Sequence, residues 1–315
     1  MTYDVVIIGG GPAGLAAAVV LGRALRSVLV VDADDPRNAR ASQIHNYLTR
    51  EAVPPKAFLA AGVADAERYG VMFRAGTVTS VSGAVPQFRV DLADGSMVEA
   101  RRILVCTGLS DVLPDIPGLA EHWGQTVLHC AHCHGFEARN AAIGVLGDPL
   151  PVVMTTLLWR QWTDDLVLLL NDPVELDAGQ RRQLDARGIR VVPGKVQAFN
   201  GAGVTLADGT VVPRDYLVVH TRVRARVDFL EPLGIKPVDL PMGLGTYLPA
   251  ADPIGRTSVP GVWVAGNVSD ARAQLLSSAA SGLTAGEALT MDLVMADLAE
   301  LVPPEPPAGA PGSDA

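Results

Sequence analysis

The chain has 315 residues, 49% hydrophobic and 19% charged, enough for two domains with separate cores and too apolar for a disordered polymer. A net charge of −9 gives no attraction for a phosphate backbone, which argues against a nucleic-acid partner. No apolar run approaches the roughly 18 residues of a spanning helix, the strand read from the first residues makes a secretory leader unexpected, and three cysteines do not make a disulfide scaffold. A cytoplasmic protein without a membrane partner is expected.

In chain order, DVVIIG at 4–9 reads as a buried strand, LAAAVVLGRAL at 15–25 as a helix, and SVLVVD at 27–32 as a second strand. Between the first strand and the helix, Gly9, Gly11 and Gly14 form G-x-G-x-x-G. Such glycines permit a tight turn and let the backbone approach a pyrophosphate at the helix N-terminus, while Asp32 can accept from a ribose hydroxyl. The turn in its strand–turn–helix–strand setting points to a bound dinucleotide.

Residues 92–107 (LADGSMVEARRILVCT) and 206–221 (LADGTVVPRDYLVVHT) share a turn, a hairpin return and an apolar strand, which suggests two related halves. The second half, from AAIGVLG at 141–147, repeats strand, turn, helix and strand. Its turn, GVLGDPLP at 144–151, has the wrong glycine spacing. Asp148 is placed to cap the helix and to repel a diphosphate, and Pro149 and Pro151 remove amide donors. Asn171-Asp172 follows with no adjacent arginines to hold a 2′-phosphate. The second fold is expected to persist without its nicotinamide site. Farther on, residues 259–289 read as a buried strand, a Gly-Asn turn and a long helix rich in small residues, and a Pro/Gly-rich tail over 301–315 is expected to be disordered.

Residues 129–137, HCAHCHGFE, admit several chemistries. C-x-x-C-H is a c-type haem attachment signature, which requires export. Zinc could use Cys130, Cys133 and histidines, but a second ligand pair at structural spacing is missing, and no metal is expected. Cys106, in a strand beside a TG turn, fits a buried apolar role. A structural dithiol and a redox dithiol remain, and a cofactor site in the same chain favours the second, because it gives the electrons a destination.

These residues together, GGGPAG at 9–14, Asp32, Thr107-Gly108, Cys130-x-x-Cys133-x-Gly135-Phe136 and GVWVAGNVSDARAQ at 261–274, resemble the low-molecular-weight thioredoxin reductase family of flavoproteins over about residues 3–298. The resemblance implies an α/β fold of two Rossmann-like, three-layer ββα domains. A discontinuous FAD-binding domain would span 1–114 and 246–300, with an inserted CxxC-bearing domain over 115–245. It implies FAD as cofactor, held by Gly9, Gly11, Pro12, Ala13, Gly14, Asp32, Thr107, Gly108, Gly266, Asn267, Ala273 and Gln274, and a homodimer. His134 stands where the reductases usually carry Asp. With the eroded second turn, this is similar to the branch of dithiol oxidases that close disulfides in natural products such as gliotoxin and holomycin.

That resemblance implies catalysis by Cys130, Cys133 and His134. Cys130 would exchange with a small-molecule dithiol, Cys133 would face the flavin, and oxygen would accept the electrons to give hydrogen peroxide. His134, with an ordinary pKa near 6.5, could move protons near neutral pH. His45, His129 and His132 are left without assigned roles. The alternatives are a thioredoxin reductase-like enzyme fed by NADPH, ferredoxin or another donor, and a flavin-binding redox sensor.

Overall fold

The computed structural model describes residues 2–148, 152–171 and 174–302. The first sheet begins with β1 (Thr2–Ile8), followed by α1 (Pro12–Arg23), β2 (Val28–Asp32), α2 (Pro55–Glu67), β3 (Met72–Ala75), and the meander β4 (Val78–Ala84), β5 (Gln87–Leu92) and β6 (Met97–Val105). β3, β2, β1 and β6 pair in parallel, and β4 and β5 join antiparallel beyond β6. The run VVII at 5–8 is apolar without alternation because both faces of β1 are covered. Val5 and Ile7 pack with α1, and Val6 and Ile8 pack with Phe88, Val90 and Leu109 on the other side.

A short strand β7 (Leu109–Val112) leads to the second unit: α3 (Leu119–His122), β8 (Val127–Leu128), α4 (Ala131–His134), β9 (Ile143–Leu146), α5 (Val152–Trp159), β10 (Leu166–Leu169), α6 (Ala178–Ala186), β11 (Arg190–Val192), the meander β12 (Val196–Phe199), β13 (Gly203–Leu206) and β14 (Val211–Pro213), and β15 (Tyr216–Val218). β11, β10, β9, β15 and β8 form a parallel sheet with the same two-sided burial. The architecture is therefore the expected pair of Rossmann-like α/β units.

The two LADG copies diverge in one respect. β6 is continuous and pairs with β1, β5 and a later strand, whereas the second copy breaks into β14 in the meander and β15 in the parallel sheet. Pro213 stands where the first copy has Glu99, and a proline cannot donate to a continuing ladder.

The return path is β16 (Arg222–Ala225), antiparallel to β7, then β17 (Val238–Asp239), β18 (Thr246–Tyr247), β19 (Val262–Val264) beside β6, and α7 (Leu275–Leu301). Val219 still belongs to a core of the second unit, but Val223, Ala225, Val227, Leu230 and Ile235 already pack in the core of the first sheet. The chain thus passes from one core to the other between 219 and 223. Small residues let α7 lie directly on α1: a Cβ at Gly282 or Gly286 would overlap the Ala13 carbonyl or the Val20 side chain. Residues 303–315, where a disordered tail is expected, lie outside the described residues, and Leu301 still belongs to α7. No helix among the described residues is long and apolar enough to cross a membrane.

Candidate active site

The glycine turn after β1 divides into glycines that build it and one that leaves room. Gly9 has φ +107°, and a Cβ there would press on the Cys106 carbonyl; a Cβ on Gly14 would overlap the Gly9 carbonyl oxygen. Gly11 has an ordinary φ of −74°, serves as the N-cap of α1, and would point a Cβ into space with no heavy atom within 4 Å. That space fronts the helix N-terminus, where a pyrophosphate gains both free amides and the helix dipole. The Gly10 amide donates to Asp32 Oδ2, and the Asp34 amide donates to Asp32 Oδ1 at 2.8 Å, so the carboxylate is held at the lip of the same space.

A cavity of about 1260 Å³ opens here, larger than the roughly 300–1,000 Å³ of ordinary small-ligand sites. Gly9, Gly11, Pro12, Ala13, Asp32, Thr107, Gly108, Asn267, Ala273 and Gln274 line it, and so do Cys130, Cys133 and His134. Thr107 Oγ1 is buried without a protein partner, as expected of a group awaiting a ligand. Two expected contacts lie outside the lining. Gly14 is spent on the turn, and Gly266, with φ +84°, packs against Ala13 and Ser278. Asn267 also differs from expectation: its Oδ1 accepts from Arg37 Nη1 at 2.7 Å, and its Nδ2 donates to the Asp270 and Ala273 carbonyls.

The second unit's turn is only partly described. A Cβ on Gly147 would overlap the Leu170 carbonyl, so this glycine serves strand packing, while the expected roles of Pro149, Pro151 and Asp172 fall on residues outside the description. His220, at the position matching Cys106 of the first copy, places Nε2 2.9 Å from Thr155 Oγ1 and is held below its usual pKa by burial, against an opposing pull from Asp148.

Cys130 and Cys133 are joined in a disulfide with Cα atoms 5.2 Å apart. Cys130 is the N-cap of α4 and Cys133 lies within that single turn, so the local chain presents both sulfurs to the cavity. With the sulfurs bonded to each other, the pair stands oxidised. Cys106 is free and buried, and burial pushes its thiol far above the usual range, away from thiolate chemistry.

The histidines have different settings. His134 is pulled below 6.5 mainly by burial, partly offset by the Cys130 backbone and Glu137, and its Nδ1 is buried without a protein partner. Burial therefore favours its neutral imidazole form over the imidazolium. His129 stacks on Trp123, open to the lumen but crowded elsewhere; burial, and secondarily the Arg37 cation, lower it to about 4. His132 sits edge-on to Trp162, outside the cavity lining.

One network escapes the sequence reading altogether. Arg37 donates to both oxygens of Asp111, at 2.7 and 2.5 Å, and Thr221 Oγ1 donates to the same carboxylate at 2.7 Å. Burial alone would raise Asp111, but these partners hold its carboxyl below the usual range. The network ties the loop after β2 to β7 and to the residue just ahead of Arg222.

Known proteins are similar to this chain in sequence and fold. The family profile described as pyridine nucleotide-disulphide oxidoreductase matches residues 3–282. The chain is 29% identical to "Thioredoxin reductase sirT" of Leptosphaeria maculans, covering 94% of this chain and 96% of that one. It is 30% identical to "Thioredoxin reductase tcpT" of Claviceps purpurea, covering 94% and 95%. Among solved structures it is similar to HlmI, at 41% identity and TM-score 0.88 with 95% of each chain covered. It is also similar to an oxidoreductase from Agrobacterium tumefaciens, at 34% identity and TM-score 0.89 with 94% and 99% covered. With the family profile matching most of its length, the chain belongs to the pyridine nucleotide-disulphide oxidoreductase family as a flavin-dependent oxidoreductase whose cofactor is FAD.

Proposed function

We propose that the protein is an FAD-dependent dithiol oxidase that forms an intramolecular disulfide in a small-molecule dithiol, with oxygen as acceptor and hydrogen peroxide as product. The observation that carries this reading is the Cys130–Cys133 disulfide opening onto the same cavity as the glycine turn, beside a neutral imidazole at His134. The GVLGDPLP turn supports it from the other side, because a second domain with a poor diphosphate site leaves the dithiol as the entry point for electrons.

In this reading a substrate thiol loses its proton to His134 and attacks Cys130, which releases Cys133 as thiolate. The second substrate thiol then attacks the mixed disulfide at the substrate sulfur, closing the product ring and freeing Cys130. Gly11 and the α1 N-terminus would hold the FAD pyrophosphate, Asp32 the ribose, and Thr107 Oγ1 a polar group of the cofactor. FAD supplies the two-electron acceptor that returns the cysteine pair to its disulfide. The balance is R(SH)₂ + O₂ → R(S–S) + H₂O₂.

The relatives' names favour a second reading, a disulfide reductase working in the opposite direction from a nicotinamide or another donor. An oxygen electrode decides between them. The oxidase consumes oxygen steadily with a small dithiol and accumulates peroxide without NADPH; a reductase stays silent until a donor is added. We also propose a homodimer through the outer face of α7, where Met291, Val294, Met295 and Leu298 expose an apolar stripe at helical spacing.

A further inference from the structure

We infer that His45, bracketed by Glu51 and Glu137, carries the substrate's thiol proton from His134 to solvent. The inference rests on the dithiol-oxidase reading for its substrate, but its geometry stands alone.

His45 lies in the loop after β2, closed by a bridge between Ile44 and Val53, with the Ile44 amide donating to the Val53 carbonyl at 2.8 Å. The closure brings Glu51 back over the loop's start. One carboxylate oxygen of Glu51 lies 2.5 Å from His45 Nδ1, and the other accepts from the Asn46 amide at 3.0 Å. His45 Nε2 faces the opposite way, 3.5 Å from Glu137 Oε1. Asn46 Nδ2 donates to the His132 carbonyl at 2.9 Å, which fixes this loop onto α4.

The direction of travel follows from exposure. His134 is largely buried and borders the disulfide cavity; Glu137 follows it by one helical turn, since the Ala138 amide donates to the His134 carbonyl at 3.0 Å. His45 also lines the cavity, with its side chain 16% exposed, whereas Glu137 and Glu51 are 44% and 62% exposed. Glu137 and His45 are both near enough to act electrostatically on the His134 ring. An imidazole between two carboxylates can take a proton on Nε2 while giving one up from Nδ1, so it relays without rotating.

The step balances. R–SH gives its proton to His134; the thiolate sulfur bonds to Cys130; the Cys130–Cys133 bond breaks, leaving Cys133 as thiolate. The substrate sulfur is oxidised and Cys133 reduced, and the proton remains on His134. That imidazolium must discharge before the second thiol can use the same base, and besides His45 the remaining histidine of the described lining, His129, is held down to about 4. Glu137, His45 and Glu51 supply the exit.

The test compares the wild type, His45→Gln and Glu137→Gln, each loaded with FAD, at saturating dithiothreitol without air, over a range of imidazole concentrations at fixed ionic strength. Flavin bleaching in the wild type should ignore imidazole. Both variants should bleach more slowly, by a factor at the low end of the about 10²–10⁴ that proton-transfer assistance provides. Added imidazole should restore their rate with no change in the half-saturating dithiol concentration. A second measurement reads the same relay without the oxidase: the phosphine-reduced cysteine pair reacts with a coloured aromatic disulfide, and His45→Gln should again be slow and imidazole-responsive. Variants at wild-type rate, or slow variants indifferent to imidazole, overturn the relay. If the wild type cannot oxidise dithiothreitol yet the second assay shows the rescued defect, the oxidase reading falls and the relay stands.

Discussion

Replacing Gly11 by valine separates a glycine that makes room for a ligand from glycines that make the turn. The backbone at Gly11 is available to any residue, and its Cβ direction is clear of protein for 4 Å. Without cofactor, Gly11→Val should therefore fold, losing about 1 kcal/mol as a poorer N-cap. With cofactor, the valine methyls occupy the space in front of the α1 amides. If two charge-assisted hydrogen bonds to the pyrophosphate are lost at about 1.5–3 kcal/mol each, affinity falls by about two to four powers of ten at about 1.4 kcal/mol per decade. Titration of flavin-stripped protein with FAD, followed by flavin fluorescence, measures that loss, and a melt of the stripped protein measures the fold. Gly14→Ala is the contrast: its Cβ overlaps the Gly9 carbonyl, so it should fail to fold with or without FAD. Wild-type FAD affinity in Gly11→Val would refute the placement of the diphosphate. A stripped Gly11→Val that does not fold would refute the division of labour.

His134→Ala should keep FAD and a reducible disulfide while slowing the dithiol half-reaction by about 10²–10⁴-fold. Because burial lowers His134, the wild-type pH–rate profile should fall only below about pH 6.5, and the variant's profile should be flatter there, as stopped-flow rates would show. His129, His134 and His220 all bind protons more weakly folded than unfolded, so the unfolded state gains protons first as pH falls. Stability should thus be full above about 6.5, decline from there to about 4, and decline less in His129→Asn, measured by urea unfolding across pH. Met295→Glu with Leu298→Glu should convert a dimer to a folded monomer by light scattering; an unchanged mass would move the interface elsewhere on the molecule.

What the sequence discloses is what short-range sterics and chemistry encode. The Gly9–Gly14 turn is legible because each glycine answers a local constraint, and HCAHCHGFE is legible because the two sulfurs are one helical turn apart. The Arg37–Asp111–Thr221–Asn267 network draws on four distant segments, and no local pattern marks Arg37, Asp111 or Thr221. His134 is named by its motif, but its neutral state depends on burial contributed by the rest of the fold. His45 and Glu51 are six residues apart, yet they meet only because the Ile44–Val53 bridge folds the loop over. The place where the chain returns to the first core is illegible for a related reason: β16 belongs to that core through packing, while the LADG repeat marks only strands and turns.

The central claim is that electrons enter from a dithiol and not from a nicotinamide. Anaerobic stopped-flow of the FAD-loaded protein against dithiothreitol, and separately against NADPH, tests it most directly. The account predicts rapid bleaching of the flavin by dithiothreitol, slow or absent bleaching by NADPH, and return of the oxidised spectrum with one peroxide per flavin when air is admitted. Rapid bleaching by micromolar NADPH with no response to the dithiol would contradict it.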